Sequence, residues 1–260
     1  MKKALAAVLL ATVAVAVWAP WSRTRLQVVK GQLSSSADES DRVAVARQRH
    51  GAAIQEKFRA AGVAYPGGVF LRWLKREAVL ELWAQDAEPR FRLVSSYPIL
   101  ASSGEPGPKR REGDSQVPEG FYEIDRFNPA SAFHLSLGLN YPNAADRVLS
   151  DHEQPGSDIF IHGGNASIGC APVGDEAVEE VYLAALDARA HGQARIEVHI
   201  FPGRMAGAEW EHFAANEIAR RPELAASWVQ LQPAFEFFEH RHRLPSITVA
   251  GDGRYTVLGD

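Results

Sequence analysis

The sequence predicts a mainly β (α+β) chain with flanking helices, on three observations. Short apolar or alternating runs recur through positions 67–203. Gly- and Pro-rich turns punctuate them. Helical spacing is confined to one segment of that block and to the regions on either side. The length of 260 residues, with 46% hydrophobic and 23% charged, suits a chain with a buried core and excludes disorder, collagen and coiled coil.

In chain order, Lys2 and Lys3 precede an Ala, Val and Leu stretch from Ala4 to Ala19, followed by Pro20, Trp21, Arg23 and Arg25. This is the layout of an export signal over 1–19. Ala14 and Ala16 offer a cleavage site, and Trp18, Trp21 and the flanking positive charge equally suit an uncleaved anchor. The formal charge is -4, and the first 26 positions hold four basic residues and no acid, so the remainder is more acidic still. An acidic body argues against nucleic acid as a partner.

Positions 20–66 read as a tether and a polar helix. Gly31 to Ser40 is Ser-rich, and Glu39 to Gly62 lacks Pro and ends on a glycine stop. After Pro66-Gly67-Gly68, strands are expected over Val69 to Leu74, Ala78 to Trp83 and Phe91 to Leu100, as an antiparallel meander. A Gly-, Pro- and charge-rich loop, Ser102 to Pro118, leads to strands over Gly120 to Ile124 and Ala132 to Leu137. Asp158 to Ile161 is a compact buried strand, Asp175 to Ala190 a helix stopped at Gly192, and Ala194 to Phe201 an alternating strand. Positions 204–260 form an extension with helices near Glu209 to Arg220 and Ser227 to His242 and a hairpin around Ala250 to Gly253.

Chemistry concentrates between Ile161 and Cys170. His162 ends a buried strand, and the lone cysteine, Cys170, follows eight residues later across a loop of glycines and small residues. An exported chain normally uses cysteine in pairs, and a single one makes no intramolecular disulfide. A free thiol is mostly protonated at neutral pH, so a nucleophilic cysteine needs a base in reach, and His162 is the nearest. Gly169 permits the tight turn that backbone amides need to face a developing oxyanion. The plainer alternative stays open: a core histidine, a small buried thiol and an ordinary glycine turn. The glycines lack the GK[ST] ending of a phosphate loop. His240 and His242, two apart on a helix, diverge and do not make a zinc site, so no metal or cofactor is expected. A papain-like order is reversed here.

His162-Gly163, the glycine-containing loop and Ser167-Ile168-Gly169-Cys170, preceded by Pro118 to Tyr122, resemble the L,D-transpeptidase (YkuD) catalytic domain of cell-wall enzymes. Gly107 to Asp114, Asn128 to Ser136 and Tyr141 to Arg147 resemble its YafK-type branch in Gram-negative bacteria. The similarity covers about Val69 to Phe201. It implies a β-sandwich or barrel-like catalytic domain over 67–203 with flanking helices, in a periplasmic protein, acting on peptidoglycan tetrapeptide stems and taking no cofactor. Cys170 would form a thioester, His162 would be the base, and the Gly163 carbonyl would hold the ring. The amides of Ile168, Gly169 and Cys170 would meet the oxyanion. Two features depart from the family pattern: Ile168 stands where the family has histidine, and the gap between His162 and Cys170 is short. His134 is the candidate for that missing imidazole, set against a strand histidine bonded locally. Ser167 and Arg110 are candidate substrate contacts. Lys109, Arg110 and Arg111 would meet diaminopimelate carboxylates or else form a solvated charge run, and Asp175 and Glu176 read as helix-start charge. The acceptor would be a diaminopimelate amine. The alternatives are water, in a hydrolase that releases a wall-linked outer-membrane lipoprotein, and a wall-binding module without catalysis. Membrane contact is expected only through the N-terminal segment.

Overall fold

The apolar runs between Val69 and Phe201 assemble into one eight-stranded sheet. The computed structural model describes residues 21–259, with side chains from 41 onward, and 39–260 form the unit described below. The segment read as an export signal or anchor, 1–19, lies outside the described residues. Among those described, no helix is long and apolar enough to cross a membrane.

The strands are β1 (Val69–Leu74), β2 (Val79–Gln85), β3 (Phe91–Pro98), β4 (Gly120–Asn128), β5 (Ser136–Leu139), β6 (Phe160–His162), β7 (Ala171–Pro172) and β8 (Glu197–Phe201). Their order in the sheet is β3-β2-β1-β8-β4-β5-β6-β7. The meander β1 to β3 is antiparallel as expected. The pairs β1 with β8 and β6 with β7 are parallel. A parallel pair needs a crossover, and helix α3 (Asp175–Ala190) supplies it between β7 and β8. Leu100 beyond β3 donates its amide to Pro172 in β7 at 2.8 Å, curling the sheet so that its two edge strands meet.

Central position explains the sequence of β1. Every residue of Val69–Leu74 is buried, so the strand is a continuous apolar run rather than an alternating one. Its one charge, Arg72, reaches Glu81 and Glu239 at 2.6 Å each and sits within 5.3 Å of the rings of Trp83, Phe235 and Phe238. A buried guanidinium is tolerable on those terms only.

Helix α1 (Trp21–Ala60) extends back through the Ser-rich stretch expected as a tether. Serine and glycine cost a helix roughly 0.5–1 kcal/mol each relative to alanine, and no proline intervenes to remove an amide. The polar sequence hides a narrow apolar stripe: Ala46, Ile54 and Phe58 are fully buried in the main core. The expected strand over Ala132 to Leu137 is corrected to Ser136–Leu139. Ahead of it the chain turns: Ser131 Oγ accepts the amide of Phe133, and His134 has a left-handed φ of 66°.

Helix α2 (Ala144–Leu149) escaped the sequence reading, although Asn143 and Asp146 form a reciprocal capping box that the N-x-x-D spacing announces. Helices α4 (Gly207–Arg220) and α5 (Glu223–Arg241) cover the sheet through Trp210, Leu224, Trp228, Leu231 and Phe235, packed on Leu74 and Phe201. The extension therefore shares its apolar cluster with β1 and β8 rather than standing apart. The hairpin β9 (Ser246–Val249) with β10 (Tyr255–Leu258) closes the chain.

Candidate active site

The register of β5, β6 and β7 brings the segment that carries His162 beside the one that follows Cys170. His162 pairs with Ser136 on one side and with Pro172 on the other. Cys170 lies in the bend immediately before β7, two residues ahead of Pro172, the register partner of His162. Cys170 is half-buried, and its S–H donates to the carbonyl of Asp158 at 3.6 Å.

His162 is buried, and its Nδ1 lies 2.6 Å from the carbonyl oxygen of Gly163. A carbonyl only accepts, so Nδ1 carries the hydrogen, and in the neutral ring Nε2 is left with its lone pair as the base. The Phe133 ring packs on the imidazole at 4.9 Å between centroids. Burial lowers the His162 pKa, opposed by the bond to Gly163. Burial also pushes the Cys170 thiol up; Asp158 reinforces this, while the Phe160 backbone and Lys109 oppose it. These directions favour the thiol and the neutral imidazole.

Glycine is obligatory where the loop is tightest. A Cβ on Gly163 would lie 2.5 Å from Asp175 Oδ1 and 2.7 Å from the carbonyl oxygen of Phe133. Asp175, in the first turn of α3, accepts the amide of Gly164 at 2.8 Å and so ties the loop to the helix. Its charge does more than favour the helix start, a role hidden from local reading because the two ends of the bond lie eleven residues apart. Gly169 adopts φ 119° with the carbonyl oxygen of Gln116 where a Cβ would come within 3.0 Å.

Ser167 organises the turn before the cysteine. Its Oγ accepts from the amides of Gly169 at 3.1 Å and Cys170 at 2.9 Å and donates to the Cys170 carbonyl at 2.7 Å. Two of the three amides expected to meet an oxyanion thus converge on one point, which the serine hydroxyl occupies. The Ile168 side chain is 84% exposed.

The remaining candidates lie elsewhere. His134 Nε2 lies 2.6 Å from Glu179 Oε1 of α3, so the ring is bonded to the helix, the local reading weighed for it. Lys109 is buried on Asp114 at 2.6 Å rather than solvated. Arg110 and Arg111 line a groove of about 460 Å³ together with Gln116 and Arg221. Phe133, Asp158 and Gln116 join the site unforeseen, since each contributes through its ring packing or its backbone carbonyl, which no side-chain motif encodes. Among the described residues no group of three His, Cys, Asp or Glu is placed to hold a metal.

The family description "L,D-transpeptidase catalytic domain" (YkuD) matches residues 75–198. YafK of Escherichia coli (strain K12), an L,D-transpeptidase by assignment only, is 32% identical over 191 residues, 73% of each chain. The chain belongs to the L,D-transpeptidase (YkuD) family. Its YkuD domain runs from the end of β1 to β8 and encloses both His162 and Cys170. The counterpart from Escherichia coli O157:H7 matches equally. Among solved structures, the helical cell shape determining protein Pgp2 of Campylobacter jejuni shares 16% identity over 76% of this chain and 80% of that one, with a TM-score of 0.40. Its K307A mutant gives 20% identity and a TM-score of 0.43 over 66% of this chain and 59% of that one. Bd1075 of Bdellovibrio bacteriovorus gives 17% identity and a TM-score of 0.40 over 67% and 63%. This chain thus spans under two thirds of the length of the last two, and at such scores none of the three adds weight to the assignment.

Proposed function

We propose that the protein is an exported cysteine L,D-transpeptidase that acts on peptidoglycan tetrapeptide stems through a Cys170 thioester. The observation that carries this reading is the His162 ring, held through Nδ1 by Gly163 with its basic Nε2 left over, on a strand that pairs in parallel with the one Cys170 leads into.

As the sulfur attacks the stem carbonyl carbon, its proton passes to His162 Nε2. The carbonyl π pair moves onto oxygen, which is met by the amides of Gly169 and Cys170 once the Ser167 hydroxyl turns aside, and by Ile168. The C–N bond then breaks, and the leaving amine takes the proton from His162. A diaminopimelate amine attacks the thioester in turn, gives its proton to His162 and expels the thiolate, which recovers that proton. Arg111 lines the groove beside Gln116 and is the candidate there for a free carboxylate of the stem, since Arg221 is bound to Glu217 at 2.7 Å and Arg110 faces Asp146 at 3.9 Å. No part of this scheme calls on a metal or a cofactor, and Glu179 removes His134 from it.

Cys170→Ala is expected to abolish turnover of a tetrapeptide substrate while the melting curve stays that of the parent. Undiminished turnover in that variant ends the enzyme reading and leaves a wall-binding module. Incubation with purified sacculi followed by muropeptide analysis fixes the acceptor. New diaminopimelate cross-links mean transfer, whereas liberated lipoprotein or lost cross-links mean hydrolysis.

A further inference from the structure

We propose that a cationic cavity where β3 begins and α5 ends is a binding site for a phosphate-bearing group, separate from the cysteine site. Two short basic strings, Arg90-Phe91-Arg92 and His240-Arg241-His242-Arg243, are brought together there from parts of the chain about 150 residues apart. The amide of Phe91 donates to the carbonyl of His242 at 2.7 Å, and His242 Nδ1 returns a bond to the carbonyl of Phe91 at 3.3 Å. His242 ends α5 in the left-handed region, with φ 52°. Phe91 and Phe238 pack together behind this junction at 6.1 Å between centroids. The result is a cavity of about 400 Å³ whose lining includes Arg90, Arg92, Arg241, Arg243, His240 and His242.

The nearby acids do not balance this charge. Asp86 pairs with Arg92 at 2.9 Å and spends its other oxygen on the amides of Glu88 and Arg90. Arg243 reaches only the carbonyl of Glu88, at 3.5 Å. Among the described residues, Arg90 and Arg241 have no carboxylate partner. In a chain whose formal charge is -4, Arg90, Arg241 and Arg243 gather positive charge around one cavity that Asp86, bound to Arg92, does not offset. Guanidiniums bind phosphate oxygens in pairs with a geometry that few other groups match. The carbonyl end of α5 opposes an anion here, and the four guanidiniums outnumber it. The volume suits one ligand of headgroup size.

This place is remote from the thiol along the strand that connects them. The far end of β3 meets β7 at Leu100 and Pro172, whereas the cavity lies at Phe91. Eight strand residues span about 26 Å, so an occupant of the cavity leaves the cysteine groove open. Such a site would hold the domain against a phosphate-bearing surface or molecule while the cysteine works.

The test uses the full chain and an Arg90→Glu/Arg241→Glu variant in two arms at one ionic strength. One arm measures binding of inorganic phosphate by calorimetry. The other measures co-sedimentation with phosphatidylglycerol vesicles, with phosphatidylcholine vesicles as reference; any contribution of the N-terminal segment is common to both proteins and cancels. The variant is expected to bind at least tenfold more weakly in one arm or both, with turnover of stem peptide unchanged as proof that it folds. Loss in both arms identifies phosphate itself as the recognised group, and loss with vesicles alone identifies a lipid headgroup. Equal binding by parent and variant in both arms, or no binding by the parent in either, overturns the proposal. Should the double variant fail to fold, Arg241→Gln is read in the same two arms, with at least a threefold loss expected and equal binding overturning the proposal.

Discussion

At Cys170 burial works against ionisation. It raises the thiol pKa and lowers that of His162, which favours thiol and neutral imidazole over thiolate and imidazolium. Two pH profiles follow. Alkylation of Cys170 by iodoacetamide, followed by intact mass, should reach half its limiting rate above the ordinary thiol value of about 8.5. A midpoint near neutrality would contradict the preference for the neutral pair. The acid limb of kcat/KM should fall below the ordinary imidazole value of about 6.5, because the base works unprotonated and its folded pKa is lowered. Ser167 sits at the point where an oxyanion hole would form, and it both fills that point and aims the amides. Ser167→Ala is expected to lower kcat about tenfold or more at little cost in KM, since losing such a bond costs about 1–3 kcal/mol. Ser167→Thr, which keeps the hydroxyl, should retain most of the activity. An unchanged kcat in the alanine variant would show that the hydroxyl only blocks the hole and braces nothing.

Among the elements, β6, the loop after it and α3 act as one device. The loop leaves β6 at His162, is caught by Asp175 at the head of α3 and returns through Gly174, whose amide donates to the Gly164 carbonyl at 3.1 Å. Gly163→Ala drives a methyl into both Asp175 and the Phe133 carbonyl. Forced overpacking of that kind costs about 1–3 kcal/mol, and here it moves the carbonyl that fixes the His162 tautomer. Turnover is therefore expected to fall by more than the loss of stability explains, as seen by comparing kcat with the melting temperature. A variant as active as the parent would show that the loop has room to spare. The same sequence stretch shows why local reading fell short upstream. The run Ala132 to Leu137 has strand composition, yet His134 is drawn to Glu179 and Phe133 is folded over His162, which breaks the strand until Ser136.

For the whole molecule, the consequence is that the polar helix belongs to the core. Between residues 41 and 60, α1 buries Phe58 edge-on against Tyr65 at 4.9 Å, and the Tyr65 hydroxyl donates to Asp187 of α3 at 2.6 Å. Arg47 binds the same carboxylate through both nitrogens, and Lys57 and Tyr97 share Glu180. Phe58→Ala leaves a cavity in the main core beside Tyr65 and should cost about 3–5 kcal/mol, measured by denaturant unfolding. A loss under about 1 kcal/mol would mean that α1 rides on the domain without supporting it.

By itself the sequence determined the strand that leads to His162, the helix α3 to the residue and the family, because each is written in local order: period, glycine spacing and the sequence of motifs; it also singled out His162 and Cys170 as the candidate pair. Only the tertiary structure decided that burial pushes the Cys170 thiol up and the His162 imidazole down, that Ser167 holds the amides, that His134 serves α3 and that two distant basic strings make one cavity. Desolvation, convergence of amides and proximity across 150 residues are properties of packing, and no single stretch of chain encodes them.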